Sequence, residues 1–132
     1  MFVRVSAVGL LVLGLAVGPS AAAQAHGGAP PSADDCLNER RYPDPMQARI
    51  CVNAAYDVED ARLNRAYKAA MARMPTAQRR IALRDAQRAW IKARDAECYD
   101  DWPGAGAKLE MASCYYDRAS LRADALERMA RR

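Results

Sequence analysis

Histidine is almost absent from this sequence of 132 residues: the only one, His26, lies among glycine and proline. A serine or cysteine nucleophile needs a neighbouring base, usually histidine, so the composition argues against nucleophilic catalysis. The sequence also has no two cysteines separated by only two residues, which argues against a zinc site and against a thiol-redox centre. These absences predict no catalytic residue, no metal site and no cofactor.

Closely spaced carboxylates are the remaining pattern that could support catalysis, and the candidates are Asp95, Glu97, Asp100 and Asp101. Acid–base hydrolysis of sugars needs two carboxyl groups at a fixed separation, with their pKa values pushed apart. Helical spacing instead places Asp95 on an outward face, and Asp100 and Asp101 begin a loop, so we interpret the group as solvated charges. The loop resembles a calcium-binding loop only loosely. We therefore predict that the protein is not an enzyme, with a cryptic hydrolase as the weaker alternative.

Long apolar runs are scarce, and the only one extends from Val5 to Val17. This run is shorter than the roughly 20 residues that cross a bilayer. It follows a positive charge at Arg4 and precedes the small residues Ala23 and Ala25, a pattern typical of secretory signal peptides. We predict a signal peptide over residues 1–25 and an exported protein, periplasmic or secreted, with no stable membrane anchor.

The predicted mature chain, residues 26–132, is long enough for one small domain. Residues 26–35 are rich in glycine and proline and predict a flexible lead-in, which leaves residues 36–132 for a single helical domain. Arg4 is the only charged residue before position 26, so the mature chain keeps 19 of the 20 basic and all 16 acidic residues, a net charge of +3. The charges are interspersed, which argues against nucleic acid as a partner but permits contact with anionic polymers such as peptidoglycan.

All four cysteines, Cys36, Cys51, Cys98 and Cys114, belong to the mature chain. Export to an oxidising compartment predicts two disulfide bonds, for which three pairings are possible. We favour Cys36 with Cys51 and Cys98 with Cys114, because each bond would close a loop of about 15 residues and contribute on the order of 3 kcal/mol. The first bond would also bring the N-terminal segment onto a second apolar side of the first long helix. That side consists of Ile50, Cys51, Ala54, Val58 and Ala61.

Apolar residues recur at helical spacing over three long segments. The start and stop signals place these helices at about Pro45–Met74, Thr76–Tyr99 and Ala107–Arg131, with a short helical turn at Cys36–Tyr42. The short connection at Pro75 predicts that the first two helices are antiparallel neighbours, and Leu83–Cys98 predicts a central helix around which the others pack. The predicted fold is all-α: a small three-helix bundle with a short N-terminal segment, stapled by two disulfides.

The predicted inward face of the central helix is unusually polar, and it consists of Leu83, Ala86, Gln87, Trp90, Ala93, Arg94 and Glu97. Buried polar groups need hydrogen-bonding partners. On the first helix, Asp60 also falls on the apolar stripe. We predict a partly buried Asp60–Arg94 pair, assisted by Gln87, that fixes the register of the two helices. A ligand site built from these three residues is the alternative.

The last helix and the loop before it leave two questions open. One apolar strip of the helix consists of Met111, Cys114, Leu121, Ala125 and Met129, and a second consists of Leu109, Ala112, Tyr116, Ala119 and Ala123. Periodicity alone does not decide which strip faces the core, and a strip left outside could form a dimer face. In the loop, Trp102 lies next to proline and glycine, so it either contacts a partner or folds back over the end of the bundle.

Three sequence patterns resemble a known family. They are Asp60-x-x-Leu63-Asn64-x-x-Tyr67, Ala86-Gln87-x-x-Trp90-Ile91-x-x-Arg94-Asp95-x-x-Cys98 and Arg122-x-x-x-Leu126, together with Cys51 and Cys114. On these residues the chain resembles the N-terminal domain of the LprI-like lysozyme inhibitors, over about Cys36 to Leu126. Two features depart from the family pattern: Ala119 stands where threonine is usual, and the loop carries Trp102-Pro103-Gly104 in place of a sequence richer in glycine and serine.

The resemblance implies a small exported helical protein with paired cysteines that binds lysozyme and blocks its hydrolysis of peptidoglycan. The loop from Trp102 to Lys108 would then enter the sugar-binding cleft of lysozyme and place Lys108 against its two catalytic carboxylates. The alternative is a structural or envelope-stress module of the periplasm, which contacts another envelope protein or peptidoglycan and has no inhibitory activity. Either function is compatible with a monomer or a homodimer.

Overall fold

The computed structural model describes residues 31–99, 101 and 103–132; the predicted signal peptide, Asp100 and Trp102 lie outside the described residues. Of the described residues, 81% are helical and none lies in a strand. The helices are α1 (Ala33–Cys36), α2 (Pro45–Arg73), α3 (Ala77–Cys98) and α4 (Ala105–Ala130). This architecture confirms the predicted all-α fold with three long helices. In these ranges, every helix is too short or too polar to span a membrane.

The starts of α2 and α3 are set by side chains that accept hydrogen bonds from backbone N–H groups of the first helical turn. Asp44 accepts from the N–H of Met46, and Thr76 accepts from the N–H of Arg79. Short oxygen-bearing side chains at this position satisfy donors that have no partner inside the helix. Both helices therefore begin within one residue of the predicted position.

The short helix α1 begins earlier than predicted. Ser32 and Asp35 form a reciprocal capping box, in which the Ser32 hydroxyl accepts from the Asp35 N–H and the Asp35 carboxylate accepts from the Ser32 N–H. Hydrogen bonding from Ser32 also lowers the pKa of Asp35. The helix ends at Cys36, and the predicted helical turn is present only over Asn38–Tyr42, where the N–H of Tyr42 donates to the carbonyl oxygen of Asn38 at 2.9 Å.

Helices α2 and α4 form the main interface. They run in the same direction, because α3, which follows α2 and precedes α4 in the chain, runs in the opposite direction. The buried side chains of this interface are mostly small: Ala48, Val52, Ala55, Leu63, Ala66 and Ala70 on α2, and Ala112, Ala119, Ala123 and Leu126 on α4. Small side chains let two helices approach closely, since the interaxial distance depends on the residues at the contact. The strip that contains Ala112, Ala119 and Ala123 therefore faces the core.

Helix α3 lies beside this pair and contributes only Leu83 and Cys98 to the buried residues. It packs mainly on α4 and only sparsely on α2, so the prediction of a central helix around which the others pack is wrong. The polar stripe explains the difference. Gln87, Arg94 and Glu97 reach their partners through long side chains, which keeps the helix backbones apart. Its antiparallel direction relative to α2 agrees with prediction, since Arg80 contacts the end of α2 at Met74 and Arg94 contacts Tyr56.

Both favoured disulfides are confirmed: Cys36–Cys51 and Cys98–Cys114, each with its Cα atoms 5.5 Å apart. The first attaches α1 to α2, and the second attaches the C-terminus of α3 to α4. Because α2 and α4 are parallel, both bonds lie toward the same end of the bundle. We call it the disulfide end.

The second apolar side of α2 is covered only in part. Cys51 is buried, whereas Ile50 and Val58 are 55% and 42% exposed. Helix α1 has four residues and covers little more than one turn of α2 around Cys51. The expectation that the N-terminal segment covers this whole side is therefore wrong, and a narrow apolar strip remains in contact with solvent.

Candidate functional site

Of the two predicted partner-binding residues, Trp102 lies outside the described residues and Lys108 lies near the start of α4. Lys108 lines a groove of about 260 Å³ between α2 and α4 at the disulfide end. The α2 wall consists of Arg49, Asn53 and Tyr56, and the α4 wall of Lys108, Met111, Ala112 and Tyr115. Helix α3 reaches the groove through Arg94, which contacts Tyr56 and Tyr115.

The lining of this groove carries two positive charges and no carboxylate. Arg49 places its Nη2 atom 3.1 Å from the sulfur of Met46, while its Nε atom is buried and has no hydrogen-bond partner among the described residues. A buried donor without a partner is destabilising. Met111 and Ala112 add an apolar wall. The lining of the groove is therefore mixed, with polar and cationic side chains beside an apolar wall.

Two tyrosines close one end of the groove. The rings of Tyr56 and Tyr115 meet edge to face, with centroids 6.1 Å apart. Desolvation by the surrounding side chains raises the pKa of both hydroxyls above the ordinary tyrosine value. Both tyrosines are therefore uncharged at neutral pH and add hydroxyl groups, not charges, to the lining of the groove.

Arg94 lies between two aromatic rings where α3 meets the tyrosines. Its guanidinium carbon is 5.1 Å from the ring centroids of both Trp90 and Tyr115, a geometry that gives attractive cation–π contacts. The guanidinium donates to Oδ1 of Asp95 at 2.8 and 3.0 Å, and to the hydroxyl of Tyr56 at 3.4 Å. Arg94 thus connects α3 to both of the other long helices.

The predicted pair of Asp60 with Arg94 is wrong. Asp60 accepts a hydrogen bond from Asn64 at 2.9 Å, one turn further along α2. The sparse contact between α2 and α3 leaves too wide a gap for the short aspartate side chain, and Tyr56 fills it instead. Gln87 does not assist Arg94 either, because it accepts from Nε of Arg122 on α4 at 2.8 Å.

The described part of the chain contains no group of His, Cys, Asp or Glu side chains placed to hold a metal ion.

Residues 33–126 of the chain match the family described as lysozyme inhibitor LprI. The match covers 94 of the 132 residues and extends from the first residue of α1 to the last buried residue of α4. The chain belongs to the LprI lysozyme inhibitor family. LprI is an inhibitor family and not an enzyme family. No curated protein and no solved structure matches the chain.

One departure from the usual LprI pattern has a clear structural place. Ala119 is fully buried, with 0% of its surface exposed, in the interface between α2 and α4. It is one of the small side chains that let these helices approach, so the substitution concerns packing and not recognition. The other departure includes Trp102, which lies outside the described residues.

Two groove residues of this LprI domain, Arg49 and Asn53, were not predicted from the sequence. Their spacing with Tyr56, at i, i+4 and i+7, does place the three side chains on one face of α2. The sequence does not reveal that this face meets Lys108, because that contact depends on the register of α4 against α2, which periodicity does not give. The sequence signal for Arg49 is a cation on the same face of α2 as Tyr56.

A second polar cluster joins α2 to α4 away from the groove. Arg62 donates to Glu127 at 2.8 and 2.9 Å, to Glu59 at 3.1 Å, and to Asp124. The hydrogen bonds from Arg62 lower the pKa of Glu127. Since the cation is already shared among three carboxylates, we assign this cluster to the stability of the LprI domain and not to ligand binding.

Proposed function

We propose that the mature protein is an exported, non-enzymatic inhibitor of lysozyme-type peptidoglycan hydrolases. The observation that carries this proposal is the match to the lysozyme inhibitor LprI family over nearly the whole helical domain. The family implies lysozyme as a partner. Inhibition by binding needs no catalytic group on the inhibitor, in agreement with the prediction that the protein is not an enzyme.

The disulfide end is the surface that we propose for contact with the hydrolase. Lys108 lies at this end, and α3 ends and α4 begins there; Trp102, the other predicted partner-binding residue, falls between these two helices in the sequence. Cys98–Cys114 holds these two helices together, and Cys36–Cys51 fixes the neighbouring start of α2. A surface that is already rigid loses less conformational entropy on binding, which favours affinity.

Net charge does not assist this association. Animal lysozymes are strongly basic, and the predicted mature chain carries +3, so long-range attraction between the two proteins is absent. Local contacts must therefore supply the affinity. The active-site cleft of lysozyme, with two carboxylates, is the part of its surface where a cationic side chain such as Lys108 is favoured.

The proposal is tested with purified, oxidised protein comprising residues 26–132. We expect a dose-dependent loss of lysozyme activity on a suspension of peptidoglycan, and no turnover of peptidoglycan by the protein alone. Inhibition should persist with a soluble oligosaccharide substrate, which separates binding to the enzyme from coating of the polymer. Unchanged lysozyme activity at micromolar excess of the protein would rule out the proposal.

The second candidate is a structural or envelope-stress module that binds another envelope protein or a second copy of itself. The exposed apolar strip of α2, with Ile50 and Val58, favours this alternative, because exposed apolar strips commonly serve as contact sites. A stable dimer in sedimentation experiments, combined with an absence of lysozyme inhibition, would support it.

A further inference from the structure

Helix α3 carries the excess positive charge of the predicted mature chain. Its sequence contains six cations and three carboxylates, a net charge of +3, which equals the net charge of the whole mature chain. Each of the three carboxylates forms an ion pair with an arginine: Asp85 with Arg84, Asp95 with Arg94, and Glu97 with Arg118 on α4. The charges of the rest of the mature chain balance one another, so attraction to an anionic partner is concentrated on α3.

Four of these cations follow one another at intervals of about one helical turn. This cation row consists of Arg80, Arg84, Arg88 and Lys92, all exposed. At 1.5 Å per residue the row is about 18 Å long. Arg80 donates to the carbonyl oxygen of Met74, a neutral acceptor, while Arg88 and Lys92 have no hydrogen-bond or ion-pair partner within the described ranges. Like charges at this spacing destabilise a helix, and an anionic surface laid against them relieves the repulsion.

Two isoleucines lie on the same outer side of α3. At helical spacing, Ile81 and Ile91 fall within the sector that the cation row covers, and they are 50% and 38% exposed. Because α3 buries only Leu83 and Cys98, its outer side is not needed to hold the helix on the bundle. The combination of basic and exposed apolar side chains on one side is typical of helices that lie on anionic membranes.

We propose that the outer side of α3 docks reversibly on a membrane surface that contains anionic phospholipids. The phosphate groups of such a surface are complementary in charge to the cation row. Ile81 and Ile91 then contact the boundary of the acyl layer, which an anionic polymer such as peptidoglycan does not offer. The proposal does not depend on lysozyme inhibition, for which we propose the disulfide end of the bundle.

The first experiment measures co-sedimentation with lipid vesicles. Oxidised protein comprising residues 26–132 is used, so that the apolar run before residue 26 does not contribute. We expect binding to vesicles of equal parts phosphatidylglycerol and phosphatidylcholine, and no binding to vesicles of phosphatidylcholine alone. Raising the ionic strength from about 0.1 M to about 1 M should release the protein, because the Debye length falls from about 10 Å to about 3 Å. Equal binding to both kinds of vesicle, or binding to neither, would overturn the proposal.

Two pairs of substitutions distinguish the cation row from the net charge of the protein. Arg88→Gln/Lys92→Gln should weaken binding to the anionic vesicles by about 25-fold, since each cation near the surface contributes about fivefold. The matched control, Arg65→Gln/Lys68→Gln, removes two exposed cations from α2 and should leave binding nearly unchanged. Circular dichroism checks that both variants are folded. Equal losses of binding in the two variants would assign the attraction to net charge and overturn the role of α3.

The isoleucines distinguish a membrane from an anionic polymer. Ile81→Ser should weaken binding to the anionic vesicles by about threefold or more, because an apolar side chain no longer leaves water on binding. Peptidoglycan sacculi provide the comparison, since they offer carboxylates without an acyl layer. Binding to sacculi that depends on Arg88 and Lys92, with no binding to anionic vesicles, would assign the cation row to the polymer and overturn the proposal.

Discussion

Arg62 holds α2 against α4 through hydrogen bonds to three carboxylates, two of which, Asp124 and Glu127, belong to α4. Its side chain is 28% exposed, so these interactions are less screened than those of a fully exposed pair. Arg84 offers a contrast, because its partner Asp85 is the next residue on the solvent side of α3. The two arginines therefore form a matched test of what a bridging ion pair contributes.

We expect Arg62→Gln to lower the free energy of unfolding by about 1–2 kcal/mol. The estimate lies between the value for exposed ion pairs, below about 1 kcal/mol, and that for hydrogen bonds to charged groups, about 1.5–3 kcal/mol. Arg84→Gln should change stability by less than about 0.5 kcal/mol. Chemical denaturation followed by circular dichroism measures both, and equal effects of the two substitutions would contradict the structural role of Arg62.

The same cluster predicts a dependence of stability on pH. Arg62 lowers the pKa of Glu127 from its ordinary value of about 4.5, so the folded state binds this proton less readily than the unfolded state. The stabilisation is fully present above the unfolded pKa and is lost as the pH falls through the folded pKa. We expect wild-type stability to fall below about pH 4.5, and we expect a smaller fall in Arg62→Gln. Denaturation curves at a series of acidic pH values compare the two proteins; parallel losses would show that other carboxylates, such as Asp35, dominate.

At the level of helices, local signals predict where an element begins but not what it packs against. Asp44 and Pro45 start α2, and Pro75 separates α2 from α3, so these boundaries agree with prediction within two residues. The two apolar strips of α4 could not be ranked, because apolar character alone does not distinguish them. The strip with Ala112, Ala119 and Ala123 faces the core, because its small side chains permit close approach to α2.

Helix α3 lies at the periphery and buries few side chains. We therefore expect its disulfide to hold it on the bundle more strongly than its packing does. Replacing Cys98 and Cys114 by serine should lower the free energy of unfolding by on the order of 3 kcal/mol and should speed hydrogen exchange throughout α3. The matched control replaces Cys36 and Cys51, which close a loop of nearly the same length, 15 against 16 residues. That variant should speed exchange in α1 and leave α3 protected. Unchanged exchange in α3 after loss of Cys98–Cys114 would show that its polar contacts hold it sufficiently.

For the whole molecule, the sequence predicts the fold class, the disulfide pairing and the family, because each depends on local spacing or on motifs. The candidate site is predicted only in part. Lys108 is predicted through the loop that precedes it, whereas Arg49 lies some 60 positions away and reaches the groove only through the register of α2 against α4. Three long helices in succession, each antiparallel to the one before, predict that α2 and α4 run in the same direction. They do not predict the register of α4 against α2.

The two disulfides together should decide whether the domain is folded. Each contributes on the order of 3 kcal/mol in the chain-entropy account, and the sum is comparable to the total stability of a small domain, about 5–15 kcal/mol. A variant with serine at all four cysteines should therefore lose much of its helical signal and its inhibition of lysozyme. The oxidised wild type is the control, and no reductant is added, since lysozyme itself must remain intact. Retention of full inhibition by this variant would exclude a role for the bonds in presenting the surface.

The position of Cys98–Cys114 also bears on resistance to proteolysis. The connection between α3 and α4 lies within the ring that this bond closes. A protease that cuts the connection therefore leaves both fragments covalently joined, with α2 and α4 still packed together. The proposed binding surface can thus be nicked in a protease-rich environment without release of either half of the molecule.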